Sequence, residues 1–166
     1  MSEAETCRLK PISPINVWPG NISLSHFYNR NSKIWVSMNF RDYLLAHLSE
    51  RNVARDVTTI GRTTLLGAAN DQQIRSELPK DYVFEDIDTF LITLAALLTA
   101  ECSVKKRRIF LSDRHPNLFY VKMAGGKEVI VVSVVRFAPS QKWRCFADKL
   151  SKYPLRPNCW IFSAST

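Results

Sequence analysis

The chain has 166 residues, 46% of them hydrophobic and 23% charged, which is the balance of a folded globular domain rather than a disordered segment. Its 23 Lys and Arg against 15 Asp and Glu leave a formal charge of +8, and the excess is segregated: residues 1–104 carry 10 basic and 12 acidic side chains, residues 105–166 carry 13 and 3. The longest apolar run, residues 90–100, is interrupted by Thr93 and Thr99 and falls short of the roughly 20 residues of a membrane span, and the polar, acidic start predicts no secretory signal and a cytoplasmic protein.

Residues 1–22 set Pro11, Pro14, Pro19 and Gly20 among Ile12, Ile15, Val17 and Trp18. The prolines oppose a helix, and the apolar residues between them predict an extended arm laid across a domain made by residues 23–166. Over residues 32–40, Ile34, Val36 and Met38 alternate with Lys33, Trp35 and Ser37, the period of a strand. Asn39 is placed to cap a helix over 40–54, in which Tyr43, Leu44, His47, Leu48 and Arg51 share a stripe. His26 and His47 read as packed, structural histidines.

From 56 to 80 the pattern decays into threonines with Gly61 and Gly67, predicting a linker with a short helix over 71–78. The glycines read as turn residues, because no Gly-Lys-Ser/Thr follows them to make a phosphate loop. A buried helix is expected over 81–102: Phe84, Ile87, Leu91, Leu94 and Leu98 form one stripe, while Phe90, Ile92, Ala95, Ala96 and Leu97 cover most of the rest of the circumference.

The period then changes to two, predicting strands over 107–112, 118–123 and 128–137, the last two joined by a hairpin at Gly125 and Gly126. A short helix is expected over 141–150 and a final strand over 159–163. These elements make an α+β fold in one domain: an antiparallel sheet on a buried central helix, preceded by the extended arm and a strand-helix unit.

Cys7, Cys102, Cys145 and Cys159 form no CxxC pair, and with three histidines they fit no zinc spacing, so neither a metal nor a cofactor is expected. No Gly-x-Ser-x-Gly or His-Glu-x-x-His is present, nor a Glu-x-Lys triplet of the kind a metal-dependent nuclease would use.

The basic third carries the candidate chemistry. Lys105, Lys106, Arg107, Arg108 and Arg114, with Lys142, Arg144, Lys149, Lys152 and Arg156, supply cations for phosphates, and Trp143 and Tyr153 interleave aromatics that can stack on bases. Trp143 reads as packing inward. His115 lies in a Ser-Asp-Arg-His-Pro-Asn loop, and Arg136 interrupts the apolar face of Ile130, Val132 and Val134. A histidine to move a proton and an arginine to hold a developing phosphorane charge are the minimum for RNA cleavage without a metal.

In its expected topology the stretch from 84 to 166, with RIFLSDRHPNLFYVK, VIVVSVVRF and WIFSAST, resembles the small helix-plus-antiparallel-sheet ribonuclease folds related to barnase and bacterial toxin nucleases. That resemblance implies RNA as the substrate class. The expectation is therefore a basic cytosolic nucleic-acid-binding domain for RNA or DNA, with metal-independent ribonuclease action as its catalytic form. The alternative is a non-enzymatic phage- or plasmid-type accessory protein whose basic C-terminal face docks on an acidic surface of a host protein, and a third class is a structural subunit covered by copies of itself.

Overall fold

The computed structural model describes residues 8–17, 23–49, 58–103, 108–112 and 114–164, the side chains of Cys102 and Ser103 excepted. They form a single mixed α+β fold with a seven-stranded sheet and three α-helices. In chain order the elements are β1 (Leu9–Val17), β2 (Ile34–Val36), α1 (Met38–Tyr43), β3 (Thr58–Leu65), α2 (Asp71–Glu77), α3 (Ile87–Ser103), β4 (Asn117–Lys122), β5 (Val129–Phe137), β6 (Lys142–Lys149) and β7 (Trp160–Ser163). Across the sheet the order is β1-β3-β7-β4-β5-β6-β2.

The expectation of an antiparallel sheet is corrected to a mixed one. β7 inserts between β3 and β4 and runs parallel to β4, and β2 runs parallel to β6. The chain returns to the middle of the sheet after β6 instead of adding to its edge.

The described part of the expected arm is the edge strand β1. Pro11 and Pro14 are tolerated there because an edge strand has a row of N–H groups with no ladder partner to lose. The register against β3 shifts by one residue between Ile12 and Ile15, a bulge that reverses which side chains point to which face. Leu9 and Val17, both at odd positions, consequently enter different cores. Arg62 of β3, buried beneath the bulge, donates from Nε to the Ser13 carbonyl at 2.8 Å.

Strand β3 replaces the expected linker. Thr58, Thr59, Thr63 and Thr64 are β-branched residues suited to a pleated surface, and Gly61 is buried within the strand rather than turning the chain. The helix expected over 40–54 begins earlier and is short: Ser37, not Asn39, caps α1, its Oγ accepting from Phe40 N at 3.1 Å. A 3-10 turn follows at Leu45–His47, and residues 50–54 of the expected helix lie outside the described residues. His26 and His47 are exposed, against the expectation that they pack.

Helix α2 falls where expected and is closed by a reciprocal capping box: Gln73 N donates to Asn70 Oδ1 at 2.9 Å and Asn70 N to Gln73 Oε1 at 3.0 Å. Helix α3 starts at Ile87 instead of near 81, because Phe84 is taken by the sheet. Phe84 N donates to Tyr120 O, and Lys122 N donates to Phe84 O, both at 2.9 Å. The Asp86 carboxylate then receives Thr89 N at 2.9 Å and caps the helix.

Two cores flank the sheet. The larger joins α1 and α3 to Val36, Ile60, Phe119, Val132, Trp143 and Phe162. The smaller lies on the other face, where Ile74 of α2 meets Leu65, Leu118, Tyr120 and Ile161. Tyr120 donates its hydroxyl to the buried Asp71 carboxylate at 2.8 Å, and Ser151 N donates to the same carboxylate at 2.5 Å. Burial first and the Asp71 charge second hold the Tyr120 phenol far above its usual range. Tyr120→Phe is expected to destabilise the protein by about 1–3 kcal/mol, read as a lower urea midpoint, because a buried carboxylate oxygen loses its donor.

Candidate nucleic-acid interface

The loop that carries His115 is built by one side chain. Asn117, fully buried at the start of β4, accepts from Leu111 N at 2.8 Å and donates to Leu111 O at 3.1 Å and to Val134 O at 3.0 Å. That closes the chain between 111 and 117 into a loop and satisfies groups a strand would otherwise have paired. The strand expected over 107–112 is accordingly absent from residues 108–112. Ile109 and Phe110 are buried in succession, not alternation, and the Phe110 ring packs 5.2 Å from that of Trp143 and 5.3 Å from that of Phe162.

Arg114, exposed, takes a left-handed φ of 66° that turns the loop into the half-buried His115. Because Asn117 faces Val134, His115 and Arg136, each two residues farther out, flank the same end of the β4–β5 pair. Arg136 is engaged locally: it donates to Gln141 Oε1 at 2.5 Å, and its guanidinium lies 5.9 Å from the Trp143 ring.

Residues 142–149 are strand β6, not the expected helix, and this rearranges the basic residues. Trp143, Cys145 and Ala147 alternate into the larger core, burying Trp143 as its inward reading requires and pushing the Cys145 thiol up to about 12 by desolvation. Lys142, Arg144 and Phe146 therefore face the other way. Lys149 has the opposite parity, is exposed, and sits 3.6 Å from Glu128.

On that second face α2 covers only part of the sheet. Beyond Val129 and Val131 of β5 the small core ends, and among the described residues the surface formed by β5, β6 and β2 is left open. The register aligns Trp35 of β2 with Arg144 of β6 and Val135 of β5, places Ser133 beside Phe146, and sets Phe137 beside Lys142. Arg144 is the centre of the group: its guanidinium carbon lies 3.7 Å from the Phe137 ring centre and 5.7 Å from that of Trp35. The Phe146 ring packs 5.5 Å from that of Trp35. Trp35 remains 44% exposed and Phe137 38%, so an arginine and three aromatic rings share one accessible sheet surface.

No protein-family model, curated protein or solved structure matches this chain.

Of the other basic residues, Arg108 is exposed, its carbonyl receiving the Arg62 guanidinium at 3.2 Å. Lys152 and Arg156 are exposed on the segment after β6, with Tyr153 82% exposed between them. Lys105, Lys106 and Arg107 lie outside the described residues. Among the described residues no three His, Cys, Asp or Glu side chains are grouped to hold a metal ion, and no helix is long and apolar enough to cross a membrane.

Trp35, Phe137 and Phe146 were not among the residues singled out from the sequence. Their signal was present in the alternation of Lys142-Trp-Arg-Cys-Phe-Ala147, which assigns Phe146 and Arg144 to one face once the segment is read as a strand. Trp35 joins them only through the parallel pairing of β2 with β6, which no local pattern announces.

Proposed function

We infer that this chain binds single-stranded nucleic acid on the open face of β5, β6 and β2. The observation that carries the reading is the Arg144 guanidinium stacked on Phe137 and flanked by Trp35, with Phe146 alongside, on a sheet surface that no helix of the described residues covers. Exposed aromatic rings at cross-strand spacing accept the faces of successive unstacked bases, and cations among them meet the phosphates between those bases. The +10 balance of residues 105–166 supplies the long-range attraction for a polyanion. A duplex keeps its bases stacked on each other and offers this surface only its phosphates.

The reading is tested by fluorescence anisotropy with a labelled single strand and the same sequence as a duplex. Single strands, RNA or DNA, are expected to bind more tightly than the duplex, with a steep loss as salt is raised. Equal binding of the two forms overturns base stacking, and no binding of either at low salt overturns the reading.

The catalytic form of the reading rests on His115 and Arg136 flanking one end of the β4–β5 pair. In it His115 removes the proton of a 2′-hydroxyl, whose oxygen attacks the adjacent phosphorus while Arg136 holds the phosphorane charge; the P–O5′ bond then breaks and the 5′-oxygen leaves with the proton returned by the His115 imidazolium. His115→Ala is expected to reduce RNA cleavage in excess chelator by roughly 10²–10⁴-fold while strand binding persists. Absent cleavage in the parent protein, or cleavage untouched by the replacement, leaves a binding protein.

A further inference from the structure

At the outer edge of the open face, beyond β2, the surface dips into a hollow of about 250 Å³ lined by Tyr28, Arg30, Trp35, Arg41 and Lys142 among others. Trp35 and Lys142 belong to the open face as well, so the hollow continues it. Three cations from three separate parts of the chain converge here: Arg30 follows the 3-10 turn at Leu24–Phe27, Arg41 comes from α1, and Lys142 begins β6. None of the three has an ion-pair partner among the described residues. Asp42 lines the adjoining outer hollow of about 430 Å³, shared with Tyr28, Arg30 and Arg41, but not the inner one. Tyr28 is 59% exposed at the rim.

Three like charges around one recess repel each other unless an anion enters, and the aromatic rim suits a base attached to that anion. We propose that the hollow takes the terminal phosphate of the bound strand, with the end nucleotide against Tyr28 and Trp35. The proposal rests on the single-strand reading above and adds to it a preference for phosphorylated ends. Two features favour a terminal over an internal phosphate. A monoester carries a charge of about −1.5 to −2 at neutral pH against −1 for a diester, and so answers three cations better. The hollow also lies past the last strand of the sheet, where a strand crossing β5, β6 and β2 would run out.

The test uses labelled single strands of about eight nucleotides, within the usual span of such sites, ending in 5′-phosphate, 3′-phosphate or hydroxyl on both sides. One phosphorylated end is expected to raise affinity about tenfold over the hydroxyl-ended strand, the scale of one charge-assisted contact. Arg30→Ala with Arg41→Ala should erase that gain and leave affinity for the hydroxyl-ended strand within about twofold, because Arg144 and the rings are untouched. On the unaltered protein, inorganic phosphate should erode the gain before it weakens hydroxyl-ended binding, a readout that does not depend on how the double variant folds. Equal affinity for all three strands in the parent protein overturns the pocket, as does a gain that survives both arginine replacements in a folded variant. If the hydroxyl-ended strand binds and Trp35→Ala weakens it, the single-strand reading stands whatever the pocket does. Failure of every strand to bind overturns both.

Discussion

Leu94→Ala is expected to lower the free energy of unfolding by about 2–5 kcal/mol, seen as a fall in the urea midpoint with little change in slope. Leu94 is fully buried midway along α3, on the stripe with Ile87, Leu91 and Leu98, in the core that also takes in Phe119, Val132 and Phe162 from the sheet. Truncation removes the transfer energy of the lost methyl groups and leaves a hole that ring-packed neighbours cannot easily fill. The Phe119 and Phe162 rings are stacked 4.7 Å apart, and Phe90 packs against Phe119 at 5.5 Å. Collapse into the space would require these rings to leave their present packing, so the cost should fall toward the upper part of that range. An unchanged midpoint would contradict the placement of α3 against the sheet.

Trp35→Ala with Phe137→Ala is expected to weaken single-strand binding by at least about tenfold, since stacking of one base on an aromatic side chain contributes roughly 1–3 kcal/mol. Both residues are substantially exposed, and neither fills the larger core, so the fold should persist and its melting temperature should move little. Lys142→Glu with Arg144→Glu should act differently, weakening binding strongly at low salt and flattening its salt dependence, because phosphate contacts are lost and repulsion is added. Lys149→Glu serves as the control. Lys149 sits at the end of β6 beside Glu128 with the opposite parity, and its reversal should have the smaller effect.

Much of the fold was legible where local chemistry and tertiary role agree. Gly125 and Gly126 take φ of 94° and 76° in the β4–β5 hairpin, conformations that a Gly-Gly turn accepts without strain. The short helix expected over 71–78 is α2, and the nearly continuous apolar surface of α3 announces its burial. Legibility failed where a side chain replaces the backbone's expected partner or where charge obscures a period. Asn117 ties Leu111 in place of a ladder, so residues 108–112 form a loop despite the β-rich composition of the stretch. The helix expected over 141–150 is a strand, because Trp143, Cys145 and Ala147 recur with period two between the cations Lys142, Arg144 and Lys149. The mixed sheet has no local signature at all, because β7 reaches the centre only through pairing with strands about 100 and about 45 residues earlier in the chain. That mixed order also departs from the antiparallel arrangement on which the ribonuclease-like expectation was drawn.

The position of the proposed interface has little signature in the sequence. The basic final third is visible in the sequence, but the residues of the proposed stacking surface come from β2, β5 and β6, and of these only Arg144 and Lys142 stand among the cations expected to meet phosphates. Among the described residues the face is open because α2, seven residues long, covers β3, β7 and β4 and stops short of β6.

Photo-crosslinking of a uridine-rich single strand to the protein at low salt, followed by mapping of the linked peptides, tests strand binding on the open face of β5, β6 and β2. Crosslinks are expected at Trp35, Phe137 and Phe146, lost together when salt is raised. Crosslinks confined to the peptides around Arg108 or Lys152, or a strand that is not retained at low salt, would contradict it and turn attention to the basic face as a docking surface for an acidic protein.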